Sequence, residues 1–276
     1  MAIELTKEYA EKIDDAFELG AVTDPFINSD YDWSGAKTVV ATSTNTVEMN
    51  DYVLTGTSRY GNPAEATGSQ QEMTLTKDRS FTFTVDKMTE DESKLKASKI
   101  LARQIAEVVV PEVDKYRFAE MAKKAANLTT NYGSEAYKAV VKATERLDDA
   151  KVPTGGRVIA VTSSFYADLK LDPAFNGLAD LAQADIKYKG QVGMVDGNAV
   201  VRVPISYFPA GIHFIIAHSS ATLGPVKLAD YKIHLDAPGV SGSLVEGRIY
   251  YDAFVLNKKA KAIVCYKPTG TVETGE

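Results

Sequence analysis

Thr89-Glu-Asp-Glu92, followed eight residues on by Ile100-Leu-Ala-Arg-Gln-Ile-Ala-Glu-Val-Val-Val-Pro111, is the stretch on which the fold turns. Thr89 and Glu92 have capping-box spacing, in which the hydroxyl and the carboxylate each satisfy a backbone N–H at a helix start. Leu101, Ile105, Val108 and Val109 then recur as one apolar stripe. The pattern runs from Glu90 to about Asn127, which at 1.5 Å per residue predicts a helix about 55 Å long. A helix of that length spans the molecule, and the remaining elements must pack along it. Pro111 removes one backbone donor and is expected to kink it.

Upstream, residues 37–86 lack helical periodicity and are rich in Thr, Val and Ser. Lys37-Thr-Val-Val-Ala-Thr and Met73-Thr-Leu-Thr alternate as strands do. In Ser80-Phe-Thr-Phe-Thr-Val85 the apolar residues Phe81, Phe83 and Val85 share one face. Between them runs Arg59-Tyr-Gly-Asn-Pro-Ala-Glu-Ala-Thr-Gly-Ser-Gln-Gln71, polar and punctuated by Gly61, Pro63 and Gly68. The whole reads as a long β-hairpin with a mobile tip. Two-stranded ribbons are marginal in isolation, so this one needs something to lie on. Further upstream, Leu5, Tyr9, Ile13 and Phe17 predict a short amphipathic helix over 3–19, stopped by Gly20. Asp24-Pro25 and Asn28-Ser29-Asp30 mark turns after it. A small helix followed by irregular chain makes an arm.

Downstream, a second helix is expected from Ser134 to Ala150, ending before Val152-Pro-Thr-Gly-Gly156. Arg157-Val-Ile-Ala-Val-Thr162 reads as a buried strand and Ser163 to Leu169 as a short helix. Strands are then expected at 190–195, 199–203, 213–217, 231–235, 248–256 and 262–266, with Gly and Pro turns between them. The fold class is α+β.

Composition limits the function. The net charge of −6 and the scattered Lys and Arg argue against a broad nucleic-acid-binding face. Lys258-Lys259-Ala260-Lys261 is the densest basic cluster and reads as a solvated turn between strands. No apolar run approaches the roughly 18 residues of a membrane span. The N-terminus lacks the basic and apolar regions of a secretory signal, which points to a cytoplasmic origin. Cys265 is the only cysteine, so no intrachain disulfide forms, and its apolar strand suggests a buried, inert thiol.

The remaining motifs fall short of catalytic and metal-binding patterns. His213 and His218, five apart on a strand, point to opposite faces, and His234 stands alone. Asp30-Tyr-Asp-Trp-Ser-Gly35 resembles the start of a calcium loop, but its twelfth position is Ala41, where a bidentate Glu is required. Pro153-Thr-Gly-Gly156 leads into a strand and lacks the Lys of a phosphate cradle. The sequence therefore indicates no enzyme, no catalytic or metal-binding residue and no cofactor.

The order of arm, hairpin, long helix and α+β region resembles the Hong Kong 97-like major capsid proteins of tailed bacteriophages. Arg157-Val-Ile-Ala-Val-Thr-Ser-Ser-Phe-Tyr-Ala-Asp-Leu169 is similar to the strand and helix that open that family's axial domain. Gly190-Gln-Val-Gly-Met-Val-Asp-Gly-Asn-Ala-Val-Val201 is similar to the segment that often follows. Tyr250 to Val264 resembles the closing strands. The resemblance covers nearly the whole chain, and the joint order of the motifs carries it.

The resemblance implies an N-terminal arm over 1–36, an extended loop over 37–86, and the spine helix with a peripheral-domain helix over 87–156. It further implies a mainly axial domain over 157–248 and closing strands over 249–276 that return to the peripheral domain. Such a subunit self-assembles as pentamers and hexamers into an icosahedral or elongated head enclosing double-stranded DNA. It is a virion protein, assembled in the bacterial host cytoplasm. Its implied partners are many copies of itself, a portal and a decoration protein; with no scaffolding segment before the arm, the resemblance implies either a separate scaffolding protein or a shell that needs none, and no membrane is involved. Phe17, Trp33, Arg59, Tyr60, Asn62, Pro63 and Gln70 are the expected assembly contacts, with Thr89, Glu92 and Pro111 shaping the spine helix. Some relatives form Lys–Asn cross-links, and Lys77 and Lys87 lie near the hairpin without either being assigned. The alternatives are an encapsulin-type nanocompartment shell and, in another class, a small-molecule-binding or hydrolase domain on the α+β half.

Overall fold

The computed structural model describes residues 21–28, 30, 38–87, 97–176, 191–235, 237–239 and 241–269. The expected helix over 3–19, Phe17, Trp33 and the Thr89–Glu92 cap lie outside them.

In chain order the elements are β1 (Thr38–Thr44), β2 (Gly68–Thr74), β3 (Lys77–Asp86), α1 (Ala97–Gln104), a π-helical turn (Ile105–Val109) and α2 (Val110–Lys124). There follow β4 (Ala126–Leu128), α3 (Ala136–Asp149), β5 (Arg157–Thr162), α4 (Ser163–Leu171), α5 (Pro173–Asn176), β6 (Gln191–Val195), β7 (Asn198–Val203) and β8 (Phe214–His218). The chain ends through β9 (Thr222–Leu223), β10 (Val226–His234), β11 (Gly242–Tyr251), β12 (Phe254–Val255), a 3₁₀ turn (Asn257–Ala262) and β13 (Ile263–Tyr266).

The long helix is one rod of two α segments joined by the π turn. The Val110 N–H bonds to the Ile105 carbonyl, five residues back, and the next residue is Pro111, which has no N–H to place. The wider turn thus absorbs the proline and adds a residue to the stripe. Leu101, Ile105, Val109 and Val113 are buried, whereas Val108 stands 46% exposed beside them.

That stripe packs on a three-stranded antiparallel sheet of order β10-β11-β3. Residues 37–86 therefore do not form one hairpin: β1 pairs only β2, and β3 leaves to pair β11 along its whole length. Burial explains the parting. Phe81, Phe83 and Val85 lie opposite Gly247, Val245 and Ser243, on the face that covers α1, and the slender β1–β2 ribbon offers no equivalent surface. Gly247 sits between Phe81 and Tyr231, whose rings stack across it at 6.0 Å.

A second unit is built on a six-stranded sheet of order β4-β13-β8-β5-β7-β6. Every residue of β5 is buried, as the apolar run of Val158–Val161 requires. Ala139, Val140, Ala143 and Leu147 of α3 and Phe165 and Leu169 of α4 cover the sheet. The α4 start is capped by the Thr162 hydroxyl, which accepts from the Phe165 N–H.

Both sheets combine segments far apart in the chain: β3 pairs with β11, and β4 with β13. Helix α3 packs on the six-stranded sheet, in one core with Phe118 and Met121 of α2. Strands β10 and β11 join β3 in the sheet on the long helix, while β13 lies between β4 and β8 in the six-stranded one. Strand period alone cannot say which of two sheets a strand joins.

The arm's root is fastened to α2. The Thr23 hydroxyl donates to the buried Asp114 carboxylate at 2.5 Å, and the Val22 N–H donates to its other oxygen. Burial pushes the Asp114 carboxyl up, against the pull of these donors and of the neighbouring Arg117. Arg117 in turn donates to the Thr23 hydroxyl, Asp24 and the Gly224 carbonyl.

A Cβ at residue 247 would lie 2.4 Å from the Phe81 ring and 2.9 Å from that of Tyr231. Gly247→Ala is expected to destabilise the fold by about 1–3 kcal/mol through overpacking. Chemical denaturation measures this, and an unchanged midpoint would contradict the packing described.

Candidate assembly surface

The β1–β2 ribbon has its apolar anchorage at its root. Ala41, Met73 and Leu75 join Leu223 and Leu256 in a small apolar core of their own. Directly beneath, the nearly inaccessible Asp252 gathers three chain segments. Its Oδ2 accepts from the Thr76 N–H at 2.8 Å and the Thr76 hydroxyl at 2.9 Å, and its Oδ1 from the Tyr116 hydroxyl and the Ala253 N–H, both at 2.8 Å. Asp252 thereby ties the ribbon's exit to α2 and to the β11–β12 corner. Burial and the Asp252 charge push the Tyr116 phenol up, which keeps it a donor.

Two further side chains grip the ribbon farther out. Gln71 donates to the Val255 carbonyl at 3.0 Å and accepts from the Asn257 N–H at 2.9 Å. Lys258 donates to the Thr44 carbonyl at 2.9 Å and to the Asn45 side chain at 2.6 Å. The Lys258–Lys261 cluster, read as a solvated turn, is thus a 3₁₀ turn whose first lysine holds the ribbon.

Beyond Asn45 and Thr67 lies the tip. It has local order: the Val53 N–H bonds to the Arg59 carbonyl, the Gly61 N–H to the Ser58 carbonyl, and the Tyr52 and Tyr60 rings meet edge to face at 5.1 Å. Arg59 turns back on the Gly56 carbonyl. Of the expected contacts, Arg59, Tyr60, Asn62 and Pro63 come together here, all exposed, and Gln70 is exposed on β2 opposite Thr42. Pro111 lies in the long helix, away from this set.

The apolar content of the tip was missed in the sequence. Among the described residues, six of the eleven large apolar side chains left exposed are in the tip: Val47, Met49, Tyr52, Val53, Leu54 and Tyr60. Met49 is 98% exposed, Tyr60 83% and Leu54 80%. Single exposed apolar residues are ordinary, but a contiguous set on one projecting element marks an interaction surface. The signal was present in Val47-Glu-Met49 and Val53-Leu54, hidden by the polar residues around them. Glu48, Asp51 and Glu65 outnumber Arg59 and make the tip acidic.

The histidines have structural surroundings. His218 Nδ1 accepts from the Ser220 N–H at the start of a 3₁₀ turn, His213 packs among Phe165 and Tyr266, and His234 meets Glu246 across the sheet. Cys265 is buried in β13, and burial pushes its thiol up to about 12. Such a thiol is a poor nucleophile. Among the described residues no helix is long and apolar enough to cross a membrane.

No family model matches the chain, and no curated protein matches it in sequence. Solved structures do. The chain is similar to Mycobacterium phage Che8 over 91% of its own length and 92% of that chain, with 17% identity and a TM-score of 0.72. It is similar to the head structure of Helicobacter pylori bacteriophage KHP40 over 91% and 90%, with 12% identity and a TM-score of 0.67. It is similar to a virus-like particle from Pyrococcus furiosus over 95% and 99%, with 10% identity and a TM-score of 0.61. The fold is the α+β fold of phage major capsid proteins, as the order of segments implied.

Asp252→Ala leaves the Tyr116 hydroxyl and the Thr76 N–H and hydroxyl without their acceptor. At about 1–3 kcal/mol per stranded donor, a loss of about 3 kcal/mol or more is expected. A denaturation midpoint equal to that of the parent chain would show that this junction is not a fastening.

Proposed function

We propose that this chain is a structural shell subunit, assembling as pentamers and hexamers into a phage head around double-stranded DNA. The observation that carries the reading is the tip: an apolar, acidic element projecting from a firmly held root, with its large side chains in solvent. Burying Met49, Leu54 and Tyr60 against another copy removes that surface from water at about 25 cal/mol per Å². Many such overlaps, each modest, give a shell that is stable as a whole yet corrects errors during growth.

In this reading the three-stranded sheet and long helix make a frame from which the hairpin reaches a neighbour. The six-stranded unit, whose core also takes in Phe118 and Met121 of α2, forms the body of a pentamer or hexamer. A portal, a separate scaffolding protein and a decoration protein are its proposed partners, and the virion its location. The subunit performs no catalysis. The proposed route begins in the bacterial cytoplasm.

One observation favours a second reading. The likeness to the Pyrococcus furiosus virus-like particle spans nearly all of both chains. That supports an encapsulin-type compartment with a different cargo on the same shell principle. Nucleic acid or protein recovered from purified particles separates the two.

Expressed alone, the chain is expected to form closed particles or rings of five and six by electron microscopy. Replacing residues 46–66 with Asn-Gly keeps the pairing of Asn45 with Thr67 and removes the tip. That variant is expected to fold and to remain unassembled; normal particles from it would refute the overlap.

A further inference from the structure

We infer that Gln71 and Lys258 are positioning residues that set the angle of the hairpin, and through it the curvature of the assembly. This rests on the reading of the hairpin as the element that overlaps a neighbour.

The ribbon's apolar root ends at Met73, paired with Val39, and at Ala41, two residues farther along β1; beyond Ala41 no residue of the ribbon is buried until Met73. Gln71, opposite Ala41, and the Thr44–Asn45 end of β1 are held instead by polar contacts. Gln71 bridges the β12 carbonyl of Val255 and the N–H of Asn257, so its amide stands in for a strand neighbour on both donor and acceptor sides. Lys258 reaches the opposite strand at its last paired residue, Thr44. The two grips lie on different strands and share one base, the turn Asn257–Ala262.

That base is itself fixed to the six-stranded unit. Lys259, the next residue, donates to the Ser220 carbonyl at 3.2 Å, and the Leu256 N–H donates to the Ala221 carbonyl at 3.0 Å. Ala262 then enters the core as β13 begins. Adjacent lysines therefore reach in two directions, one to the hairpin and one to the body of the subunit. The hairpin's direction is referred to the six-stranded unit and not only to the sheet below it.

The lever is long. From Asn45 to the apex at Gly56 an extended chain reaches at most about 35 Å, so a swing of about 10° at the grip moves the tip about 6 Å. A displacement of that size carries Met49 and Leu54 off a side-chain-sized site on a neighbour. Side-chain hydrogen bonds at exposed positions contribute little to global stability, so they can be removed without unfolding the chain.

The test uses the full chain with spin labels at Thr57→Cys in the tip and Asp168→Cys on α4. Cys265 stays unlabelled because it is buried. In unassembled protein, Gln71→Ala combined with Lys258→Ala is expected to broaden the label-to-label distance distribution by about 5 Å or more, the excursion that a 10° swing gives. The thermal midpoint should stay within about 2 °C, because only exposed and half-buried polar contacts are lost. Lys258→Arg, which keeps a donor, should preserve the narrow distribution. In assembly, the double variant is expected to give mixed diameters or open sheets where the parent gives one size. An unchanged distance distribution overturns the inference, as does a broadened one accompanied by unfolding. Failure of the parent chain to form shells, with the distances responding as expected, would instead strike the assembly reading alone.

Discussion

The carboxylate of Asp252 is the point on which the rest of the architecture depends. It is almost wholly enclosed, and it accepts from Thr76 at the ribbon's exit, from Tyr116 on the long helix and from Ala253 at its own corner. Its own N–H donates to the Pro225 carbonyl, where β9 passes into β10. Four segments distant in sequence thus meet at one residue. A buried carboxylate stripped of these donors would be strongly disfavoured, so the segments must arrive together or the site does not form.

From this junction the molecule divides into parts of unlike character. The two sheet-and-helix units are dense and apolar inside, and their surface ion pairs, such as the forked contact of Arg248 on Asp78, are exposed and contribute little. The ribbon is the opposite case: a two-stranded element that cannot bury its own side chains, anchored through a small core and a few directed hydrogen bonds. Such an element has a stable root and an unsatisfied tip. In a monomeric protein this would be an aggregation hazard; in a shell subunit it is the means of assembly.

Much of this was legible in the chain. The long helix could be read from the spacing of Leu101, Ile105 and Val109, and the strands from alternation at Phe81-Thr-Phe-Thr-Val85 and from the apolar run after Arg157. Strand partners were not legible: β3 follows β2 after two residues yet pairs with β11, because only β11 presents a face that matches Phe81 and Phe83. The place of β13 in the six-stranded sheet and of β10 and β11 on the long helix escaped for the same reason. In the candidate assembly surface, Arg59 to Pro63 were expected from the family resemblance, while Met49 and Leu54 carry no pattern that marks them within a polar loop. Only their exposure in three dimensions gives them meaning. Gln71, Lys258 and Asp252 carry no sequence signal, since each acts through a partner more than a hundred residues away.

The most direct test of the central claim is a cryo-electron microscopy reconstruction of particles formed by the intact chain, read at the hairpin tip. The account predicts Met49, Leu54 and Tyr60 enclosed against the surface of a second copy, with Gln71 and Lys258 still gripping the root. Closed particles in which those three side chains face solvent would contradict it.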